Sequence, residues 1–198
     1  MGTYPIFLMA HGAGGHKDDR GMLRLDGVLS THLQVVRFNF PYREKGSARP
    51  DPMPVLMDCI EKNVAGIRAG ENPSKLYVGG RSMGGRAASM LAAEGFACDG
   101  LLLFAYPLHP AGQPAKLRDA HLPRIRVPVL CFNGTRDTLC TRELMDAVVG
   151  KLPNWRMHWL EGADHSFRVL KSSGRSDAQV DEEIRDVTAR WLLKFNSP

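Results

Sequence analysis

Short apolar runs alternate with amphipathic stretches along the chain, the pattern of a parallel sheet with helices on both faces. Runs at 5–10, 34–40, 76–78, 100–105, 127–132 and 156–160 read as six strands. Between the first two, 18–33 reads as a helix with Met22, Leu25 and Leu29 on one side. Pro52-Met53-Pro54 opens another, with Leu56, Ile60, Val64 and Ile67 at helical spacing and Gly70 closing it. The small-residue run 83–93 predicts a third. Thr141 reads as the cap of a helix that ends near Val149, with Gly150 as its stop. A last helix puts Val180, Ile184, Val187, Trp191 and Phe195 on one stripe. The one long connection, 106–126, is too short for a large lid. No repeat, low-complexity tract or linker interrupts the pattern, so one domain over 1–198 is expected.

Chemistry enters at the third strand, which runs into Gly80-Arg81-Ser82-Met83-Gly84, a G-x-S-x-G pentapeptide. A strand that turns abruptly into a helix holds the serine in a strained backbone and lifts its hydroxyl clear of the sheet. Gly80 and Gly84 suit that turn, where strand and helix approach too closely for a Cβ. A serine that merely caps a helix is the plainer alternative. Such a nucleophile needs an acid and a base at later strand ends, in the order Ser, Asp, His. Asp137 follows the strand at 127–132, and His165 lies on the loop after 156–160. Either alone could be an ordinary loop residue; together with Ser82 they have the required order and the required face of the sheet. Asp164 competes with Asp137, but its side chain would have to fold back on its own neighbour, and Asp99 lies at the opposite end of the sheet. His32, His109, His121 and His158 read as packed or solvated residues.

An acyl reaction also needs amides for the negative oxygen, one following the nucleophile and one on an early loop. Met83 supplies the first; His11-Gly12-Ala13-Gly14-Gly15, leaving the first strand, supplies the second near Ala13. A phosphate cradle is the rival use of this loop, but neither the G-x-x-x-x-G-K-[ST] motif nor the acidic ribose partner of a dinucleotide site is present.

Composition narrows the class further. The chain has 198 residues, 43% hydrophobic and 24% charged, as in soluble globular proteins. Its net charge of +5 is spread out, and the densest basic stretch, 116–126, has no aromatic residue to stack on bases, so no nucleic-acid partner is expected. Cys59, Cys98, Cys131 and Cys140 have neither metal-ligand nor disulfide-framework spacing and read as reduced thiols. No signal peptide or membrane-length apolar stretch is visible, so a cytoplasmic protein without a membrane partner is expected. Arg43 and Arg81, near the expected cleft mouth, could attract an anionic substrate but read first as surface charges. Oligomeric state is open.

Taken in order, these segments resemble the small α/β-hydrolase family related to dienelactone hydrolases, including bacterial α/β-family hydrolases and testis-expressed hydrolase-like proteins. The resemblance rests on His11-Gly12-Ala13-Gly14-Gly15, Arg37-Phe38-Asn39-Phe40-Pro41-Tyr42 and Gly80-Arg81-Ser82-Met83-Gly84-Gly85-Arg86. It continues through Tyr106-Pro107-Leu108-His109-Pro110, Gly134-Thr135-Arg136-Asp137 and Gly162-Ala163-Asp164-His165-Ser166. It implies a reduced α/β-hydrolase fold of six parallel strands, lacking the first two strands of the larger fold and a large lid. It implies Ser82 as nucleophile, Asp137 as acid, His165 as base, and Ala13 and Met83 as oxyanion donors. No cofactor or metal is expected, and the implied partner is a small acyl substrate. Hydrolysis of a carboxylic ester is the leading reading. An acyltransferase or perhydrolase on the same triad is an alternative, as is a non-catalytic scaffold, since the family also contains a subunit of a chromatin-modifying complex.

Overall fold

A computed structural model describes residues 4–195, with the side chain of Phe195 outside the described set. The termini of the domain expected over 1–198 also fall outside it. Six strands form one sheet: β1 (Ile6–Ala10), β2 (Gln34–Phe38), β3 (Leu76–Arg81), β4 (Gly100–Phe104), β5 (Val129–Gly134) and β6 (Trp155–Leu160). All neighbours are parallel, in the order β2-β1-β3-β4-β5-β6. β1, β4 and β5 are buried along their whole length, because an interior strand of a parallel sheet is covered on both faces.

The helices are α1 (Arg20–Leu29), α2 (Pro41–Glu44), α3 (Met53–Gly70), α4 (Met83–Ala93), α5 (Arg142–Val149) and α6 (Asp177–Phe195). One core lies between the sheet and α3, α4 and α5, around Leu8, Ile60, Val78, Leu103 and Met145. The other joins Phe7, Tyr77, Leu102 and Phe132 to Met22 and Leu29 of α1 and Val180, Ile184, Val187 and Trp191 of α6. From β1 the chain moves outward to β2, then crosses back to β3 on the other side. Strand order therefore reverses between β1 and β3, and a crevice opens at their carboxyl ends, where open α/β sheets bind ligands.

Several bounds differ from the sequence pattern for local reasons. α1 is shorter than 18–33 because the Asp19 carboxylate accepts from Met22 N at 2.9 Å and starts the helix there. β2 ends at Phe38, since the Phe40 amide turns away to donate to His11 Nε2 at 3.2 Å and Pro41 opens the unanticipated α2. β5 runs two residues further than expected, to Gly134. Thr141 does stand at the N-cap of α5, but its hydroxyl bonds His109 Nε2 at 2.8 Å and caps nothing. The connection 106–126 is no loose flap: Tyr106, Leu108, Leu122 and Ile125 are buried in the core that contains α4. No helix among the described residues is long and apolar enough to cross a membrane.

Candidate active site

β3 ends at Arg81 and α4 starts at Met83, so Ser82 alone makes the turn between them, at φ 49°, ψ −114°. An L-residue is strained there, and the surroundings hold it: Ser82 N donates to Phe104 O at 2.8 Å, and Arg86 N donates to Ser82 O at 2.9 Å. A Cβ at Gly80 would overlap the Ala10 carbonyl oxygen, and one at Gly84 would stand 2.6 Å from it. The glycines of the pentapeptide are thus demanded by how tightly β1 is wedged against the turn. Ala105 (φ 53°) and Phe167 (φ 59°) are the other non-glycine residues with positive φ among those described, and both also follow carboxyl ends of strands.

Three strand ends converge on one hydrogen-bonded chain. Ser82 Oγ lies 3.0 Å from His165 Nε2, and His165 Nδ1 lies 2.8 Å from Asp137 Oδ2. The Asp137 side chain is fully buried while His165 is about a quarter exposed, so the carboxylate is screened from water behind an imidazole open to the cleft. The carboxylate is held from two further directions. Leu139 N donates to Oδ1 at 2.8 Å, and Asn133 Nδ2 donates to Oδ2 at 3.2 Å. Asn133 also pairs with both the N–H and the C=O of Tyr106, so one buried amide ties the acid to the end of β4. Asp164, the rival acid, instead shapes the histidine loop, its Oδ1 accepting from Ser166 N at 2.7 Å and Arg168 N at 3.0 Å.

The glycine loop after β1 forms the opposite wall. Gly15 N donates to Gly12 O at 3.1 Å, a turn with Ala13 at its second position. Tyr42 Oη donates to the Ala13 carbonyl at 2.9 Å. Met83 is the first residue of α4, and a first-turn N–H has no acceptor within its own helix. His11 Nε2 accepts from Phe40 N, so its proton sits on Nδ1, which donates to Gly12 O at 2.8 Å. Burial lowers the pKa of this imidazole and keeps it neutral, a strut between two loops.

A cleft of about 550 Å³ opens above Ser82 and His165, bounded by the glycine loop, Asp19, Arg20, Arg81 and Leu139. Arg81 departs from the surface-charge expectation. Its Nη2 donates to His165 O at 3.2 Å and Ser166 Oγ at 3.0 Å, lashing the histidine loop to the strand that carries Ser82. Arg43 instead donates to Ser47 O at 3.2 Å. The four cysteines are free thiols, all raised in pKa, mainly by burial, Cys98 to about 11, so none offers a thiolate nucleophile. Among the described residues no three His, Cys, Asp or Glu side chains are grouped to share a metal ion.

The structure brings Ser82, Asp137 and His165, the residues expected from sequence, into one hydrogen-bonded chain, whereas sequence reasoning gave no task to Asn133, Tyr42 or His11. Asn133 had a signal, a polar amide closing an apolar strand four residues before the acid. Tyr42 had none, because its partner is a backbone carbonyl 29 positions away.

The sequence matches the alpha/beta hydrolase domain family over residues 3–193. The chain belongs to that family. This α/β hydrolase also shares its fold with Est1E from Butyrivibrio proteoclasticus bound to ferulic acid (TM-score 0.77, 16% identity, covering 96% of this chain and 90% of that one). A serine hydrolase without a lid from Xanthomonas campestris aligns with TM-score 0.74 and 18% identity over 96% and 84% of the two chains. A dienelactone hydrolase from Anabaena variabilis aligns with TM-score 0.70 and 20% identity over 93% and 85%.

Proposed function

We propose that this α/β hydrolase cleaves carboxylic esters or related small acyl compounds, with Ser82 as nucleophile. The observation that carries the proposal is the unbroken chain from Ser82 Oγ through His165 to buried Asp137, at 3.0 and 2.8 Å. In this reading His165 Nε2 takes the Ser82 proton as Oγ attacks the acyl carbon. Asp137 keeps the Nδ1–H tautomer and stabilises the imidazolium that forms. The Ala13 and Met83 amides receive the developing oxyanion; loss of one such donor typically costs about a hundredfold or more in rate. The imidazolium then protonates the leaving alcohol, and water, deprotonated by His165, releases the acid and restores Ser82. The open cleft favours small or exposed acyl groups with water as acceptor over transfer to a second bound substrate. The four free thiols suit a reducing, cytoplasmic setting.

The test is the intact mass of wild type and Ser82→Ala after exposure to a fluorophosphonate. One adduct on wild type and none on the variant is expected, followed by hydrolysis of short acyl esters. No adduct on folded wild type would overturn the reading and leave an interaction scaffold.

A further inference from the structure

A second cavity, of about 530 Å³, lies at the other end of the sheet, between the edge strand β6 and the C-terminal part of α6. Pro128 and Asn154, which precede β5 and β6, line it, whereas Ser82, Asp137 and His165 follow strand ends. A six-residue strand rising about 3.3 Å per residue separates the two levels by roughly 20 Å. Part of the wall is apolar. Trp191 is wedged against Tyr77, ring centroids 5.6 Å apart, and reaches so close to Gly100 that a Cβ there would lie 2.9 Å from its ring. Asn154 Nδ2 fixes the neighbouring loop by donating to Ile125 O at 3.0 Å and Val127 O at 2.7 Å.

Charge is distributed one-sidedly around this wall. Arg156, Arg190 and Lys194 stand at the cavity, all exposed, and none has an ion pair or hydrogen bond among the described residues. By contrast the neighbouring Arg175 is paired with Glu183, which also accepts from His158 at 2.7 Å. Even with that carboxylate in contact, the His158 pKa is lowered, first by burial and then by Arg156, Arg190 and Arg175. The cavity therefore offers a positive field beside a wall of Pro128, Val187 and the edge of Trp191, and cationic groups at an apolar wall attract an anion that has an apolar body.

We propose that this cavity is a binding site, separate from the Ser82 cleft, for an aromatic carboxylate whose ring lies against the wall made by Pro128, Val187 and Trp191 and whose charge faces Arg156 and Arg190. Nothing in it depends on the hydrolase reading. Trp191 lines the cavity, so binding is visible in intrinsic fluorescence.

The experiment titrates the protein with 1-naphthoate, by calorimetry and tryptophan fluorescence, with hydrogen exchange to locate the ligand. Saturable binding with protection in β6 and α6 is expected. The Kd should rise by about tenfold in Arg156→Glu and in Arg190→Glu, and by a similar factor for the neutral alcohol 1-naphthylmethanol. Ser82→Ala should bind as wild type does. Both arginines are exposed and unpaired among the described residues, so melting temperatures should hold; were one variant to unfold, the other and Lys194→Glu read the same quantity. Three results would overturn the proposal: no saturable binding up to about 5 mM, a Kd indifferent to these charges, or protection at the glycine loop of the Ser82 cleft instead.

Discussion

Three donors hold the Asp137 carboxylate: Leu139 N on Oδ1, and Asn133 Nδ2 and His165 Nδ1 on Oδ2. Asp137→Asn replaces one acceptor oxygen by an NH2 that must face one of these donors. Turned toward His165, it drives the ring to the wrong tautomer; turned toward Leu139, it leaves two donors opposed. Ester hydrolysis by this variant should fall by about a thousandfold or more while circular dichroism reports a native fold. Tyr42 acts at one remove, through the Ala13 carbonyl. If the adjoining amide receives the oxyanion, Tyr42→Phe should lower kcat by about tenfold with KM little changed, because only the transition state uses that amide. A purely structural hydroxyl would alter the melting temperature and leave kcat alone. Gly80 is constrained by space rather than chemistry: its φ is 141° and a Cβ would enter the Ala10 backbone. Gly80→Ala should therefore lower stability by about 3 kcal/mol or more, or prevent soluble folding, as urea unfolding would show.

At the level of elements, periodicity carried far where a segment's environment is uniform. The helix at 83–93 is α4 to the residue, because strand and helix meet at a single strained serine. It failed where a side chain left its element for a distant partner. The hydroxyl of Thr141 is at a cap position by sequence but is taken by His109 across the fold. The strand at 34–40 stops short because Phe40 N prefers a buried imidazole to the next sheet bond. α1, in contrast, has a genuine cap in Asp19. Asp19→Ala should cost about 1 kcal/mol and lower the melting temperature by about 2–4 °C, measured by calorimetry. The mutation also removes a carboxylate from the mouth of the Ser82 cleft, so KM for charged esters should shift independently of the melting change.

The molecule as a whole stores neutral histidines. His121 is pushed down to about 4 from the usual 6.5, by burial first and then by Arg86 and Arg124. Its Nε2–H must donate to Ser89 Oγ at 2.8 Å, since that hydroxyl's own proton goes to Arg86 O. His11 and His158 are lowered as well. The unfolded chain protonates such rings near 6.5, whereas the folded chain resists until lower pH. The stability these neutral rings contribute is thus complete above pH 6.5 and is lost as pH falls below it, for His121 down to about 4, by at most about 1.4 kcal/mol per pH unit for each ring. Urea unfolding at pH 7, 6 and 5 should show this loss, and His121→Gln should make it shallower; equal slopes would refute the assignment.

From its sequence alone this protein was determined to be a layered α/β chain with Ser82, Asp137 and His165 after successive strands, because periodicity, glycine placement and chain order are local properties. Tertiary structure decided what no local pattern holds. It fixed the strand order that opens a crevice between β1 and β3, and the Asn133 amide that binds the acid to the end of β4. It also fixed the Arg81 lash across the histidine loop and the cationic, tryptophan-lined cavity at the far end of the sheet. Each of these depends on groups far apart in the chain, and they meet only once the sheet has closed its two cores.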